Sequence, residues 1–275
     1  MTAGRSPFLL VGGGIVAVFA VLAVFAPLVA PYGSHALAGP SLAAPSGRHL
    51  LGTNDAGQDI LSQLIWGARA AALVALPAAG LAILVGLVVG GLAGLLGGWV
   101  DLTTMRIVDT LLAVPVLPLL ILIAALVGPS RITVIVLIAA AGWPAIARVL
   151  RSQTLTLVQR GYVQAARGFG GHALYVLRRH LAPALGPVVV ANFVYWAGTA
   201  ILLQSGLAFL GLSEPTEVSW GGMLNRALTH EGVYFSSEWI WWVLPAGLAI
   251  IVVATGLAFL GLAVEPRFNP RWRRA

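Results

Sequence analysis

The chain has 275 residues, 59% of them hydrophobic and only 9% charged, with a formal net charge of +7. A mean hydropathy of +0.93 excludes an ordinary soluble domain and places the chain among polytopic, all-α membrane proteins. Cysteine is absent and the sixteen basic residues are all arginine, which excludes disulfides, thiolate metal sites and the lysine of a nucleotide-binding P-loop.

A hydrocarbon core about 30 Å thick takes roughly 20 apolar residues per helix, and on that measure the sequence predicts six spans. The first, Pro7–Ala30, closes an N-terminal unit over residues 1–30. Its apolar run is too long for a signal-peptide core and Pro31 occupies the position after a cleavage site, so a retained helix is expected. An external segment follows over 31–69, rich in Pro, Gly and Ser at first and ending in the amphipathic stretch DILSQLIWGAR. A five-helix core over 70–264 opens with Ala70–Trp99, an overlong span expected to tilt or to begin outside the hydrocarbon. Gly86, Gly90, Gly94 and Gly98 recur every four residues along it, a stripe that lets a second backbone approach closely.

The third and fourth spans, Met105–Gly128 and Ile132–Leu150, are separated by Pro129, Ser130 and Arg131 and form a tight hairpin. After the connection 151–183 comes the fifth span, Ala184–Ser205. There Asn192, Tyr195, Trp196 and Thr199 fall within about 100° of one face. Polar atoms are costly in lipid, so this face lines a translocation pathway or bonds to another helix, and both alternatives stand. Gln204 and Asn225 are further polar candidates toward the external side. A second external segment over 207–239 carries Glu214, Glu217, Glu231 and Glu238 among aromatic residues. Both external segments are too short to be independent domains and are expected to cap the external mouth. Ile240–Val264 is the last span, and a basic tail over 265–275 follows.

Six spans put both termini on one side. With that side cytoplasmic, Arg5, Arg106, Arg148, Arg151, Arg160, Arg167, Arg178, Arg179, Arg267, Arg271, Arg273 and Arg274 lie inside, against Arg48, Arg69, Arg131 and Arg226 outside. That bias predicts cytoplasmic termini. The arginines do not gather into one soluble basic module, so the partner is a lipid bilayer and not a nucleic acid. No acid or histidine lies near a midplane, which argues against an ion-coupled secondary carrier. No nucleophile–base pair or metal cluster suggests an enzyme, and no bound cofactor or metal is expected.

Arg160–Pro183, RGYVQAARGFGGHALYVLRRHLAP, concentrates four arginines between two apolar spans. Tyr162–Arg167 reads as helix, Gly168–Gly171 interrupts it, and Ala173–Leu181 resumes helical character before Pro183. Taken alone, two short helices joined by a glycine bend could lie on anionic lipid or dock as a rigid knob into a partner.

This segment resembles the coupling motif of ABC importer permeases, E-A-A-x-x-x-G followed nine residues later by I-x-L-P. Gln164, Ala165, Ala166, Gly170 and Pro183 fall at the matching positions, and Arg167, Gly168, Gly171 and His180 complete the segment. Leu51-Gly52-Thr53 through Gly57-Gln58-Asp59, Ile65–Arg69, Gly97-Gly98-Trp99 with Met105-Arg106 and Asp109, Phe209–Leu212 and Ser219-Trp220-Gly221 are similar, in the same order, to further motifs of the dipeptide, oligopeptide and nickel importer family. The resemblance implies a type I importer permease of the bacterial plasma membrane. It also implies a second related permease, two cytoplasmic ATP-binding subunits that hold ATP and Mg, and an external solute-binding protein. Peptides or peptide-like solutes are the implied cargo, with glutathione or a nickel chelate as alternatives. The chain departs from the family pattern at Gln164 and Gln204, where glutamate is usual, at Asn54 for aspartate, and at Gln58 and Gln63 for arginine. Its ending GLAVEPRFNP also replaces the usual acidic pattern.

Overall fold

A computed structural model describes residues 7–268, with side chains to residue 263. The tail before Pro7 and the basic tail expected over 265–275, apart from helical backbone to Phe268, lie outside the described residues. In chain order the helices are α1 (Pro7–Val29), α2 (Ile60–Leu96), α3 (Gly98–Ala113), α4 (Val116–Val127), α5 (Arg131–Val158), α6 (Gly161–Gly168), α7 (Ala173–Val176), α8 (Ala182–Phe209), α9 (Trp220–Thr229) and α10 (Trp239–Phe268). A π-helical turn over Leu177–Leu181 joins α7 to α8. Among the described residues there are no strands, only two isolated bridges within the first external segment.

Five helices are long and apolar enough to cross a bilayer, and the bent pair α3–α4 supplies the sixth passage when counted as one span. The expected continuous span Met105–Gly128 is thus corrected to two helices meeting at 84°. The cause is Pro115. It has no N–H to donate and it forces Val114 into extended backbone at φ −81° and ψ 132°. Apolar counting runs through the break, because Leu111–Ala113 before it and Val116–Val127 after it are both apolar, although α3 also carries Asp101, Arg106 and Asp109.

α2 also begins ten residues earlier than the predicted span. Asp59 adopts extended backbone as its N-cap and its carboxylate accepts from the Ser62 N–H at 2.8 Å. The external amphipathic stretch is therefore the first three turns of α2. At 1.5 Å per residue its 37 residues extend about 55 Å, so the helix projects well beyond the hydrocarbon.

α2 is the central post. It packs on α5 along most of its length and also meets α1, α8, α9 and α10, while α1 and α10 pair on the opposite flank. Packing on α5 depends on the glycine stripe. A Cβ at Gly86 would stand 2.5 Å from Ile146 Cγ2, one at Gly90 would stand 2.9 Å from the Ala147 Cα, and one at Gly94 would stand 2.9 Å from Thr154 Cβ. Gly98 does not continue the stripe. It lies beyond the end of α2 with φ +55° and nothing within 4 Å of a built Cβ, so it makes the turn into α3 and no helix contact.

At one end of the helices, the segment preceding α2 and the α8–α10 connection close over one another. The Trp220 indole N–H donates to the Leu64 carbonyl at 2.9 Å, the Arg226 guanidinium meets Asp55 at 2.6 and 3.2 Å, and a His35 ring nitrogen lies 3.0 Å from the Thr216 carbonyl. Arg131 at the start of α5 pairs with Glu217. On the other side, Arg148 and Arg151 of α5 pair with Asp109 and Asp101 of α3.

Candidate functional site: the α6–α8 knob

α6 leaves α5 after only Gln159 and Arg160. Its apolar side is spent inward, since Val163 is fully buried and Ala166 partly so. Gln164, Ala165, Arg167 and Gly168 form its exposed face. The helix ends in a paired cap. The Gly171 N–H donates to the Ala166 carbonyl at 2.9 Å and the Gly170 N–H to the Arg167 carbonyl at 3.0 Å. That Schellman pattern requires a left-handed residue after the last helical turn, and Gly170 supplies it at φ +84°. Gly171 is held for another reason: a Cβ there would stand 2.6 Å from the Ala166 carbonyl oxygen.

The chain then turns at His172, whose Nδ1 accepts from the Tyr175 N–H at 3.1 Å and so caps α7. The π-helical turn places the Ala182 N–H on the Leu177 carbonyl, one residue wider than an α-helix. Pro183, with no N–H to donate, follows directly on the π-helical turn, where the regular i→i−4 ladder is already interrupted. Residues 173–209 thereby run as one 37-residue helical rod from the knob through the membrane. Val176, Leu177, Leu181 and Leu185 are buried along its inner side. Leu177 leans on Gly91 of α2, where a Cβ would stand 2.6 Å from Leu177 Cδ1. The knob is therefore seated on three spanning helices at once: α5 through the chain, α8 through the rod, and α2 through packing.

An open groove of about 490 Å³ lies between α6 and α7, walled by Tyr162, Ala166, Phe169, Tyr175 and His180. The His180 ring meets Tyr175 edge-on at 5.6 Å and lies 6.3 Å from Tyr162. Phe169 stands 94% exposed at the tip. One phenylalanine in a glycine-rich bend carries no periodic signal, so its exposure is not legible in the sequence.

The residues proposed for the pathway separate. Tyr195 is two-thirds exposed, while Trp196, one position on, turns inward to cover Gly142 of α5. Trp196 thus takes the helix-contact alternative for that face: adjacent residues are about 100° apart on a helix, and α5 occupies the side that Trp196 faces. Asn192 and Thr199 stay partly exposed, and each donates to its own helix, to the Val188 carbonyl at 2.8 Å and the Tyr195 carbonyl at 3.2 Å. Gln204 is buried at the start of α5, beside Arg131, Glu217 and Ser219.

Three of the departures from the family pattern come together in space. Asn54 donates to Gln58 Oε1 at 2.9 Å and to Gln63 Oε1 at 3.3 Å, and Gln63 Nε2 donates to Gln58 Oε1 at 2.8 Å. All three side chains are buried, and the Arg226 guanidinium also donates to Gln58 Oε1 at 3.3 Å.

Residues 82–274 match the family described as binding-protein-dependent transport system inner membrane component. The chain is 32% identical over 273 residues to the dipeptide transport system permease protein of Alkalihalophilus pseudofirmus, covering 98% of this chain and 88% of that one. It is 32% identical over 259 residues to the dipeptide transport system permease protein of Bacillus subtilis, covering 92% and 79%. Similarity to the glutathione transport system permease protein of Pectobacterium atrosepticum reaches 37% over 188 residues, covering 66% and 61%.

Proposed function

Because the chain belongs to the inner membrane components of binding-protein-dependent transport systems, a multi-pass permease subunit of an ABC importer, we propose that it forms one half of a channel for peptides or peptide-like solutes. The other half is a second, related permease. Two cytoplasmic ATP-binding subunits hold ATP and Mg and carry out hydrolysis, and an external solute-binding protein delivers the cargo. The arginine distribution supports cytoplasmic termini and a cytoplasmic knob. The dipeptide and glutathione relatives support a substrate with a peptide backbone.

One observation carries the mechanism: the knob is continuous with the helices it must move. α6 offers an exposed face of small and polar residues, Gln164, Ala165 and Gly168, to an ATP-binding subunit. When ATP draws the two ATP-binding subunits together, α6 shifts as a rigid piece, because its Schellman cap and the buried Val163 tie it to the body. The displacement passes along the 173–209 rod and through α5, whose close contact with α2 leaves little room for independent bending. Rigid movement of these helices about a site between the two permeases gives alternating access. At Gln164 an amide stands where the family pattern has a carboxylate, so docking here relies on shape and hydrogen bonding without an anionic group.

The test is reconstitution in proteoliposomes with both permeases and the ATP-binding subunits. Uptake of a dipeptide presented by the binding protein is expected only with ATP on the knob side, opposite the binding protein, and not under a proton or sodium gradient alone. Gradient-driven uptake by this chain without ATP would establish an ion-coupled carrier instead.

A further inference from the structure

We infer that the groove between α6 and α7 receives an apolar side chain of the ATP-binding subunit from a surface rimmed with carboxylates, so that the two proteins interlock reciprocally. This rests on the reading that α6 docks on that subunit, and it adds what the opposing surface must be.

The groove's walls are aromatic, and its outer lip, Phe169, has almost no contact with its own chain. Such a lip gains little from folding of this subunit and much from burial against another. The same segment of chain is strongly basic. Arg160, Arg167, Arg178 and Arg179 are all exposed, and none has a carboxylate partner among the described residues. The sequence contains no Asp or Glu between Asp109 and Glu214, and Asp101 and Asp109 are already held by Arg151 and Arg148. A carboxylate that pairs with them would belong to another molecule.

A cation in the aromatic groove is disfavoured by four guanidiniums on the same short segment, although aromatic faces alone would attract one. Anionic lipid fits poorly as well. A helix lying on a bilayer turns its apolar side to the acyl boundary, whereas α6 turns Val163 into its own subunit and presents Gln164, Ala165 and Gly168 outward. An apolar side chain flanked by acids suits both the aromatic walls and the exposed arginines of the same segment.

The experiment measures association of the co-expressed ATP-binding subunits with the two-permease complex in nanodiscs of neutral or anionic lipid. Two variants are compared with wild type: Phe169→Ser, and Arg167→Gln combined with Arg178→Gln. All three positions are exposed, and the arginine changes leave most of the cytoplasmic positive charge in place. Raising salt from 0.1 M to 1 M shortens the screening length from about 10 Å to about 3 Å. Wild-type association is expected to weaken about tenfold over that range, each variant to bind about tenfold more weakly at 0.1 M, and the arginine variant to lose most of its salt dependence, in both lipids alike. Association indifferent to salt, a variant that binds as wild type, or a loss confined to anionic nanodiscs overturns the inference. If Ala165→Glu releases the ATP-binding subunits while these variants do not, α6 docking stands and the interlock falls. If wild type retains no ATP-binding subunit at any salt, the docking reading itself has failed.

Discussion

Replacing Gly90 with leucine is expected to prevent stable assembly of the subunit, whereas Gly80→Ala on the same helix leaves it intact. At Gly90 a single Cβ would already stand 2.9 Å from the Ala147 Cα, and backbone cannot swing aside as a side-chain end can. Even Gly90→Ala forces α2 and α5 apart. Overpacking of this kind costs about 1–3 kcal/mol, more than the roughly 1 kcal/mol that alanine returns through helix propensity. Leucine adds three further carbons in the same contact. Separation there also disturbs Gly86 and Gly94, one turn to either side, so the loss spreads along the interface. At Gly80 a built Cβ meets nothing within 4 Å. Thermal unfolding of the purified subunit in detergent checks the pair. The expected order is Gly80→Ala at or above wild type, Gly90→Ala several degrees below, and Gly90→Leu without recoverable folded protein. Equal melting of Gly80→Ala and Gly90→Ala would show that the α2–α5 contact is looser than described.

Ala165→Glu is expected to leave this subunit folded and to abolish ATP-driven uptake. Ala165 lies on the exposed face of α6, one residue after Gln164, and its carbonyl accepts from the Phe169 N–H at 2.9 Å through backbone alone. Its side chain supports nothing within the chain. In a packed interface, however, a buried carboxylate without a partner costs several kcal/mol. A loss of about 2 kcal/mol at the centre of an interface corresponds to roughly thirtyfold weaker binding. The variant should therefore melt like wild type, release the ATP-binding subunits on purification, and show no uptake above background. Uptake at the wild-type rate would remove α6 from the coupling path.

Particular residues explain how far the sequence could be read. The outer helices were legible because their apolar runs end abruptly: the predicted Pro7–Ala30 and the observed Pro7–Val29 differ by one residue. The spacing of Gly86, Gly90 and Gly94 indicated close approach of a second backbone, but sequence alone did not name α5 as that neighbour. Gly98 kept the same spacing by coincidence, since helix termination at Gly97 is a backbone event that a period-four pattern does not register. Pro115 was visible, yet apolar counting treats both sides of it as one run. The arginine-rich segment drew attention to the knob and its two short helices. The rod from Ala173 to Phe209 was not legible, because arginines and a histidine interrupt the hydropathy where the helix itself continues. Trp196 illustrates a further limit: a helical wheel places it beside Tyr195, and only the position of α5 decides which of the two is buried. Pairing at long range was hidden altogether. Arg131 with Glu217 and Arg226 with Asp55 are ordinary exposed charges in sequence, and only the closing of the external segments brings them together.

In the proposed function α6 is the joint between this permease and an ATP-binding subunit. A photo-crosslinking amino acid placed at position 165 in the assembled transporter tests that joint. Covalent capture of an ATP-binding subunit is expected, with a yield that changes when ATP is added. Crosslinks only to lipid or to the second permease, with no adduct of an ATP-binding subunit in either nucleotide state, would contradict it.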